Sequence, residues 1–129
     1  MSEKKRILVV EDDEVNLMIA EHILKKEGYE VSKVNNGEEA VEIMHGHTHD
    51  VDKYTFDLIL MDIEMPIMDG LEATAIIRKM REGANIPIIA LTAHSMPEKI
   101  EEFREAGMND HIIKPIDQYK LKEITDKYL

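Results

Sequence analysis

The chain of 129 residues has the length of a single domain that can bury its own hydrophobic core. Its formal net charge of -11 argues against nucleic acid and anionic membranes as direct partners, because their phosphate groups would repel it. The absence of cysteine excludes disulfides and thiolate metal sites. With no signal-peptide core and no stretch near the roughly 20 apolar residues of a membrane span, we expect a cytoplasmic protein.

Short apolar segments alternate along the chain with longer segments of helical period, which is the pattern of βα units around a parallel sheet. Three of the segments are almost wholly apolar, as expected for strands that helices cover on both faces. The sequence therefore predicts an α/β fold of five βα units. The predicted strands, in chain order, are 6–10, 29–34, 57–61, 86–91 and 109–113.

Capping residues and glycines predict the helix boundaries. Helix starts are marked by Asn36, Asp69, Pro97 and Asp117. Helix ends are marked by Gly28, Gly83 and Gly107. In the last helix, an apolar stripe predicted to lie on the sheet is formed by Leu121, Ile124 and Tyr128. We expect one domain over residues 1–129, with 1–5 as a flexible tail and no output domain.

A long polar connection over residues 45–54 joins the second helix to the third strand. Its alternating histidines, His45, His47 and His49, lie near two aspartates and offer ligands suited to zinc or nickel. Alternate residues of an irregular loop need not converge on one ion, however. A solvated polar loop explains the same composition, and we favour that interpretation.

Charged residues follow the first, third and fifth predicted strands. Glu11 and Asp12 come after the first strand, Asp62 after the third and Lys114 after the fifth. In open parallel sheets, ligand sites form at these strand ends, and in the order 2-1-3-4-5 the first and third strands are neighbours. The three carboxylates would then share a small volume, which requires either protonation or a cation. Oxygen ligands favour Mg²⁺, Ca²⁺ or Mn²⁺.

An aspartate beside a divalent ion can attack phosphorus and carry the phosphoryl group as an acyl phosphate. The step needs donors that neutralise the phosphoryl oxygens, and Thr92 and Lys114, both at predicted strand ends, can supply them. Taken singly, these residues have ordinary roles as a turn hydroxyl and a solvated charge, and Asp62 as a loop cap. Their joint placement is what favours phosphoryl chemistry.

The motifs resemble those of response-regulator receiver domains. The matching segments are 7–13, 57–66, 68–70, 87–93 and 110–115. The resemblance covers essentially the whole chain and implies a flavodoxin-like (βα)5 fold, with a five-stranded parallel sheet of order 2-1-3-4-5 and helices on both faces. It also implies two-component or phosphorelay signalling, in which the domain takes a phosphoryl group from a histidine of a sensor kinase or a phosphotransfer domain.

The resemblance also implies a role for each pocket residue. Asp62 would be the phosphoacceptor, and Thr92 and Lys114 would bind phosphoryl oxygens. The Mg²⁺ ligands, with Mn²⁺ or Ca²⁺ as substitutes, would be Glu11, Asp12, Asp62 and the backbone carbonyl of Glu64. The domain would catalyse its own phosphorylation and dephosphorylation rather than act as an enzyme on a separate substrate. The Lys114-Pro115 bond is expected to be cis.

A conformational switch is expected from the same resemblance. Contacts from Thr92 to the phosphoryl group would pull the loop after the fourth strand, and the ring of His111 would turn inward. The face formed by the fourth helix, the fifth strand and the fifth helix would then change. His111 stands where tyrosine or phenylalanine is usual, so both a pH-dependent switch and a simple packing histidine stay open. His94 and Glu64 are placed to gate water.

Residues 12–16, 107–110 and 114–117 look more like receivers of hybrid histidine kinases than receivers with DNA-binding outputs. Such a receiver would pass its phosphoryl group to a histidine phosphotransfer domain docked on the first helix. The candidate contacts are Leu17, Met18 and Ala20, although we favour a core position for them. The chain is expected to be a monomer or a phosphorylation-dependent dimer.

Three other functions compare less well with the residues. A flavin binder needs a loop rich in glycine or hydroxyl groups, whereas this loop is acidic. A phosphatase of the haloacid-dehalogenase type needs a second aspartate where this chain has Glu64. A receiver used only as a protein-binding adaptor stays open, because it would keep the same pocket.

Overall fold

The computed structural model describes residues 4–45, 56–81, 83–93 and 97–129. Strands and helices alternate over this part of the chain. The strands are β1 (Arg6–Val10), β2 (Glu30–Val34), β3 (Leu58–Asp62), β4 (Ile88–Thr92) and β5 (Asp110–Ile113). The helices are α1 (Glu14–Lys26), α2 (Gly37–Met44), α3 (Gly70–Arg78), α4 (Pro97–Ala106) and α5 (Gln118–Tyr128).

The five strands form one parallel sheet in the order β2-β1-β3-β4-β5. This confirms the flavodoxin-like order that the resemblance implied. The register pairs Val10 with Met61, so the residues that follow them, Glu11 and Asp62, stand at the same level of neighbouring strands. The sheet thereby brings the predicted pocket residues to its C-terminal edge.

Helices cover both faces of the sheet, as expected. Along β1, Leu8 and Val10 face one hydrophobic cluster, while Ile7 and Val9 face the other, because successive side chains of a strand point to opposite faces. The first cluster takes buried residues from α2, α3 and α4, and the second takes them from α1 and α5. Strands β3 and β4 are buried along their whole length, which explains their nearly continuous apolar sequence.

The predicted capping residues begin the helices. Asn36, Asp69 and Asp117 each accept a hydrogen bond from a backbone N–H of the first helical turn. The predicted stripe of α5 is also confirmed, since Leu121 and Ile124 are buried in the core. The glycines that follow α1 and α4 have the left-handed backbone typical of helix ends, with φ of 97° at position 28 and 109° at position 107.

Several boundary predictions were wrong, by one or two residues at the strand ends and by more at one helix. Asp62 and Thr92 are the last residues of β3 and β4 rather than residues beyond the strands, because the ladder pairs them with Leu91 and Ile113. Helix α3 ends at Arg78, well before the predicted end at Gly83. That glycine is needed for a close approach instead, since a Cβ there would lie 2.3 Å from the Ile77 carbonyl oxygen.

Some predictions fall on residues outside the described ranges. They are the part of the N-terminal tail at positions 1–3, the histidine ligands His47 and His49, and the proposed gate His94. Within the described ranges, none of the helices has both the length and the apolar composition needed to cross a bilayer.

Candidate functional site

Three carboxylates meet at the C-terminal edge of β1 and β3. Oxygen atoms of Glu11, Asp12 and Asp62 lie within 4.8 Å of one another. The side chains of Glu11 and Asp62 are buried, while Asp12 is exposed at the mouth of the site. Glu11 Oε1 accepts a hydrogen bond from the backbone N–H of Asp13, the residue that caps α1. The start of this helix therefore holds the acidic loop in place.

Lys114 reaches this cluster from the end of β5. Its Nζ lies 3.1 Å from Asp62 Oδ1 and 3.1 Å from Glu11 Oε2. Its backbone N–H donates to the Thr92 carbonyl oxygen at 2.8 Å, which continues the pairing of β5 with β4 beyond the last strand residue. The Lys114-Pro115 peptide bond is cis, as the resemblance implied.

Within the described part of the chain, one ammonium faces three carboxylates, so the charges of the site do not balance. Burial, and after it the negative charge of Glu11, raises the pKa of Asp62 to about 7, against an opposing effect of Lys114. Burial alone would lower the pKa of the Lys114 ammonium. The hydrogen bond and negative charge of Asp62, together with Glu11, outweigh burial, so the pKa of Lys114 is raised.

The donor set fits a hard divalent cation. All three side chains offer oxygen, which is the ligand that Mg²⁺ prefers. Glu11 Oε2 is buried and accepts no hydrogen bond from the described residues, since the nearby Lys114 ammonium forms an ion pair with it without hydrogen-bond geometry. A cation or its water would satisfy this oxygen. Glu64, whose carbonyl was predicted to join the set, follows in the exposed loop after β3, and its role stays a prediction.

The two predicted switch residues occupy neighbouring strands. Thr92 ends β4 and is buried, whereas His111 lies half-buried within β5. His111 Nδ1 is 3.9 Å from Asp110 Oδ1. The histidine also lines a cavity of about 160 Å³ between α4 and β5, together with Phe103 and Met108. This cavity lies on the face that was predicted to respond to phosphorylation.

The three candidate contact residues of helix α1 differ in burial. Leu17 and Ala20 are buried in the core, which confirms the interpretation that we favoured for them. The core position that we favoured for Met18 was wrong, since its side chain is 65% exposed, one helical turn from the exposed Val15. Of the three candidates, Met18 alone is available to a partner.

Sequence reasoning missed two residues beside the site. Gly70 begins α3, and a Cβ there would lie 2.2 Å from the Asp62 carbonyl oxygen, so this position excludes a side chain. Ile67 lies in the loop after β3 with φ of 72° and a 74% exposed side chain. The glycine was visible in its motif. The isoleucine was not, because β-branched residues disfavour positive φ and nothing in the local sequence signals it.

The comparison with protein families gives the class. Residues 7–126 match the response regulator receiver domain family. The chain belongs to this family, as its fold and acidic cluster would lead one to expect. It is a receiver domain of two-component signalling.

Individual relatives are of two kinds. The chain is 39% identical over 124 residues to a hybrid signal transduction histidine kinase of Dictyostelium discoideum, with 95% of this chain and 7% of the relative covered. It is 35% identical over 125 residues to the polar-differentiation response regulator DivK of Brucella anthropi, with 97% and 96% covered. The chain thus spans a small part of the hybrid kinase and nearly all of the response regulator.

A solved structure supports the same placement. The receiver domain of a sensor histidine kinase from Pseudomonas aeruginosa, with a magnesium ion coordinated in its active site cleft, superposes with a TM-score of 0.84. The two sequences are 36% identical, and 98% of each chain is covered. The likeness extends over the whole sheet and its helices.

Proposed function

We propose that this domain accepts a phosphoryl group from a phosphohistidine onto Asp62 in a reaction that requires Mg²⁺. The observation that carries the proposal is the buried Asp62 carboxylate, held by one ammonium and beside two further carboxylates at a single edge of the sheet. Membership of the receiver family and the magnesium ion in the Pseudomonas aeruginosa domain support it. The hydrogen-bond-free Oε2 of Glu11 supports the choice of a hard cation.

In the proposed step, a carboxylate oxygen of Asp62 attacks phosphorus and a new O–P bond forms. The N–P bond of the donor breaks, and the imidazole nitrogen keeps the electron pair. Asp62 must be ionised to attack, and the nearby Lys114 ammonium favours that form. Lys114 then contacts a phosphoryl oxygen, as does the Thr92 hydroxyl. Bound Mg²⁺ supplies positive charge that offsets the carboxylates and the phosphoryl oxygens.

Dephosphorylation removes the phosphoryl group from Asp62, and we propose that the same residues catalyse it. Water attacks phosphorus, the O–P bond to Asp62 breaks, and inorganic phosphate leaves. The domain would therefore act on its own aspartate and not as an enzyme with a separate substrate. Glu64 is exposed and follows Asp62 by two residues, and we propose that its side chain influences the access of water.

The proposed output is a change on the α4-β5-α5 face. Thr92 ends β4, and its residue pair on β5 is Ile113, close to His111 in the same strand. A contact between Thr92 and the phosphoryl group would favour the state in which the His111 ring enters the cavity beside Phe103. The phosphoryl group shifts the population because it contacts the two states differently.

We propose a phosphohistidine-bearing protein, either a sensor kinase or a histidine phosphotransfer domain, as the partner in the cytoplasm. The exposed side chains of Val15, Met18 and Ile67 offer an apolar contact surface on the two elements that border the acidic site. The hybrid kinase relatives support a phosphorelay in which the group is passed onward. A monomer and a phosphorylation-dependent dimer are both compatible with this proposal.

The test is intact-mass measurement after incubation with acetyl phosphate and Mg²⁺. We expect the gain of one labile phosphoryl group, which is lost after chelation and in Asp62→Asn. Asp126→Asn, which changes an exposed aspartate of α5, is the matched control and keeps the gain. If neither acetyl phosphate nor a phosphohistidine protein modifies Asp62, the adaptor function replaces this proposal.

A further inference from the structure

Lys120 holds the backbone on both sides of Lys114. Its Nζ donates to the Ile113 carbonyl oxygen at 2.9 Å and to the Pro115 carbonyl oxygen at 3.0 Å. Its own backbone N–H donates to Asp117 Oδ1 at 2.9 Å. The Lys120 side chain therefore ties the first turn of α5 to the backbone around Lys114 at two points, while its backbone N–H makes the N-cap bond of the helix.

Lys120 is the third residue of α5, close to the positive end of the helix dipole. The third helical residue is glutamate in α2 and α3, asparagine in α1, and lysine in α4 and α5. A glutamate there complements the positive end of the helix dipole, and Glu39 also accepts a hydrogen bond from the Asn35 N–H. Lys120 opposes the dipole. The two carbonyl contacts of its ammonium offset this unfavourable placement.

The position of the Lys114 ammonium depends on the backbone that Lys120 holds. Lys114 belongs to the loop after β5, yet its Nζ contacts Asp62 at the end of β3, on the far side of β4. A long side chain that spans this distance amplifies any rotation of its own main chain. Fixing the carbonyls before and after Lys114 limits that rotation.

We propose that Lys120 is a positioning residue for phosphoryl transfer, which keeps the Lys114 ammonium between Glu11 and Asp62. The inference rests on the proposed function of Asp62, and it adds a residue that touches neither the phosphoryl group nor the metal ligands. Loss of the two carbonyl contacts leaves the carboxylates in place and misplaces the ammonium.

The test compares Lys120→Met, which keeps the apolar stem, with Lys120→Arg, which keeps donors for two carbonyls. We expect Lys120→Met to slow phosphorylation by acetyl phosphate about tenfold, because small misplacements of a catalytic group are costly. Lys120→Arg restores most of the rate. Lys122→Met is the matched control, since Lys122 lies on the same helix and pairs with Asp126 on the exposed side. If Lys120→Met does not fold, Lys120→Gln replaces it in the same measurements.

Two further readouts separate positioning from a structural role. In a Lys114→Met background, Lys120→Met has no additional effect on the rate if Lys120 acts through Lys114. Amine labelling, followed by peptide mass measurement, shows faster modification of Lys114 in Lys120→Met than in the wild type. An unchanged rate with unchanged labelling overturns the proposal, as does an equal loss of rate in the Lys114→Met background.

The labelling readout also distinguishes this proposal from the function on which it rests. If the wild type takes up no phosphoryl group, the proposed function fails. Faster labelling of Lys114 in Lys120→Met would still support positioning by Lys120, and unchanged labelling would overturn it.

Discussion

The two edges of the sheet differ in how their charged side chains are paired. At the N-terminal edge, the Arg78 guanidinium of α3 donates to the carbonyl oxygens of Gly107, Gly83 and Ile86, at 2.8, 2.8 and 2.6 Å. It also donates to Asn109 Oδ1 at 2.7 Å. At the C-terminal edge, among the residues that the structure describes, three carboxylates share one ammonium, and the buried Glu11 Oε2 accepts no hydrogen bond.

The difference indicates what each edge is for. Arg78 donates to the backbone of the connections that precede β4 and β5, and burial lowers the pKa of its guanidinium. Arg78 and its acceptors pair with each other at that edge, an arrangement that serves stability. At the acidic edge, burial raises the pKa of Asp62 to about 7, and among the described residues the carboxylates outnumber the ammonium. An edge of this kind serves function.

The largest expected effect is on stability at the N-terminal edge. Arg78→Met removes the donors for several partly buried acceptors, and we expect a loss of about 3 kcal/mol in the free energy of unfolding, measured in urea. Mg²⁺ affinity at the other edge should stay unchanged. Arg78→Lys, which cannot reproduce the planar set of donors, should recover less than half of the loss. A large change in Mg²⁺ affinity would mean that the two edges are not independent.

The next effect concerns Lys114. Lys114→Met removes the ammonium that contacts Asp62, and we expect phosphorylation by acetyl phosphate to slow about a hundredfold, as when one stabilising donor is removed from a catalytic site. Mg²⁺ should bind more tightly, because a competing cation is gone. Titration calorimetry checks the affinity. Weaker Mg²⁺ binding would show that Lys114 supports the ion rather than competes with it.

The pH dependence of stability should carry the signature of Asp62. A folded-state pKa of about 7, raised from 3.8, means that the folded protein holds the proton more tightly than the unfolded chain. In metal-free protein this contribution therefore destabilises the fold as pH rises from about 4 to about 7. Asp62→Asn removes the penalty, and we expect a gain of about 2 kcal/mol at pH 8 and almost none at pH 4.

Urea unfolding of both proteins at the two pH values measures this difference. Mg²⁺ should stabilise the wild type at pH 8, because the ion offsets the negative charge of the ionised Asp62. It should have little effect on Asp62→Asn, which lacks that charge. An equal gain from Asp62→Asn at both pH values would contradict ionisation of Asp62 as the source of the penalty.

The smallest effect should come from the loop after β3. Ile67 has φ of 72°, which asparagine tolerates better than a β-branched residue, so Ile67→Asn should stabilise the fold by about 0.5–1 kcal/mol. If the exposed Ile67 side chain contacts the partner, the same variant should slow transfer from a phosphohistidine protein and leave acetyl phosphate uptake unchanged. If Ile67→Asn is phosphorylated by both donors at the same rates as the wild type, that contact is excluded.

Local sequence determined the helices and strands and the residues that meet at the acidic site. Apolar segments in β1, β3 and β4 and caps such as Asn36 and Asp69 depend on neighbours along the chain, and these predictions were confirmed. Motif resemblance added the sheet order, which periodicity alone does not provide. The side chains of Glu11, Asp12 and Asp62 were predicted to meet, and they do. Their individual roles stay predictions.

Tertiary structure decided what depends on distant parts of the chain. The carbonyls that Arg78 and Lys120 hold are fixed by the paths of loops, and a long flexible side chain in a sequence does not show where its end group will lie. The same holds for Ile67, whose positive φ opposes its own preference. The sequence by itself thus determined the fold and its acidic edge. Which polar groups are satisfied and which are left for a partner was settled only by packing, because satisfaction is a property of contacts between segments.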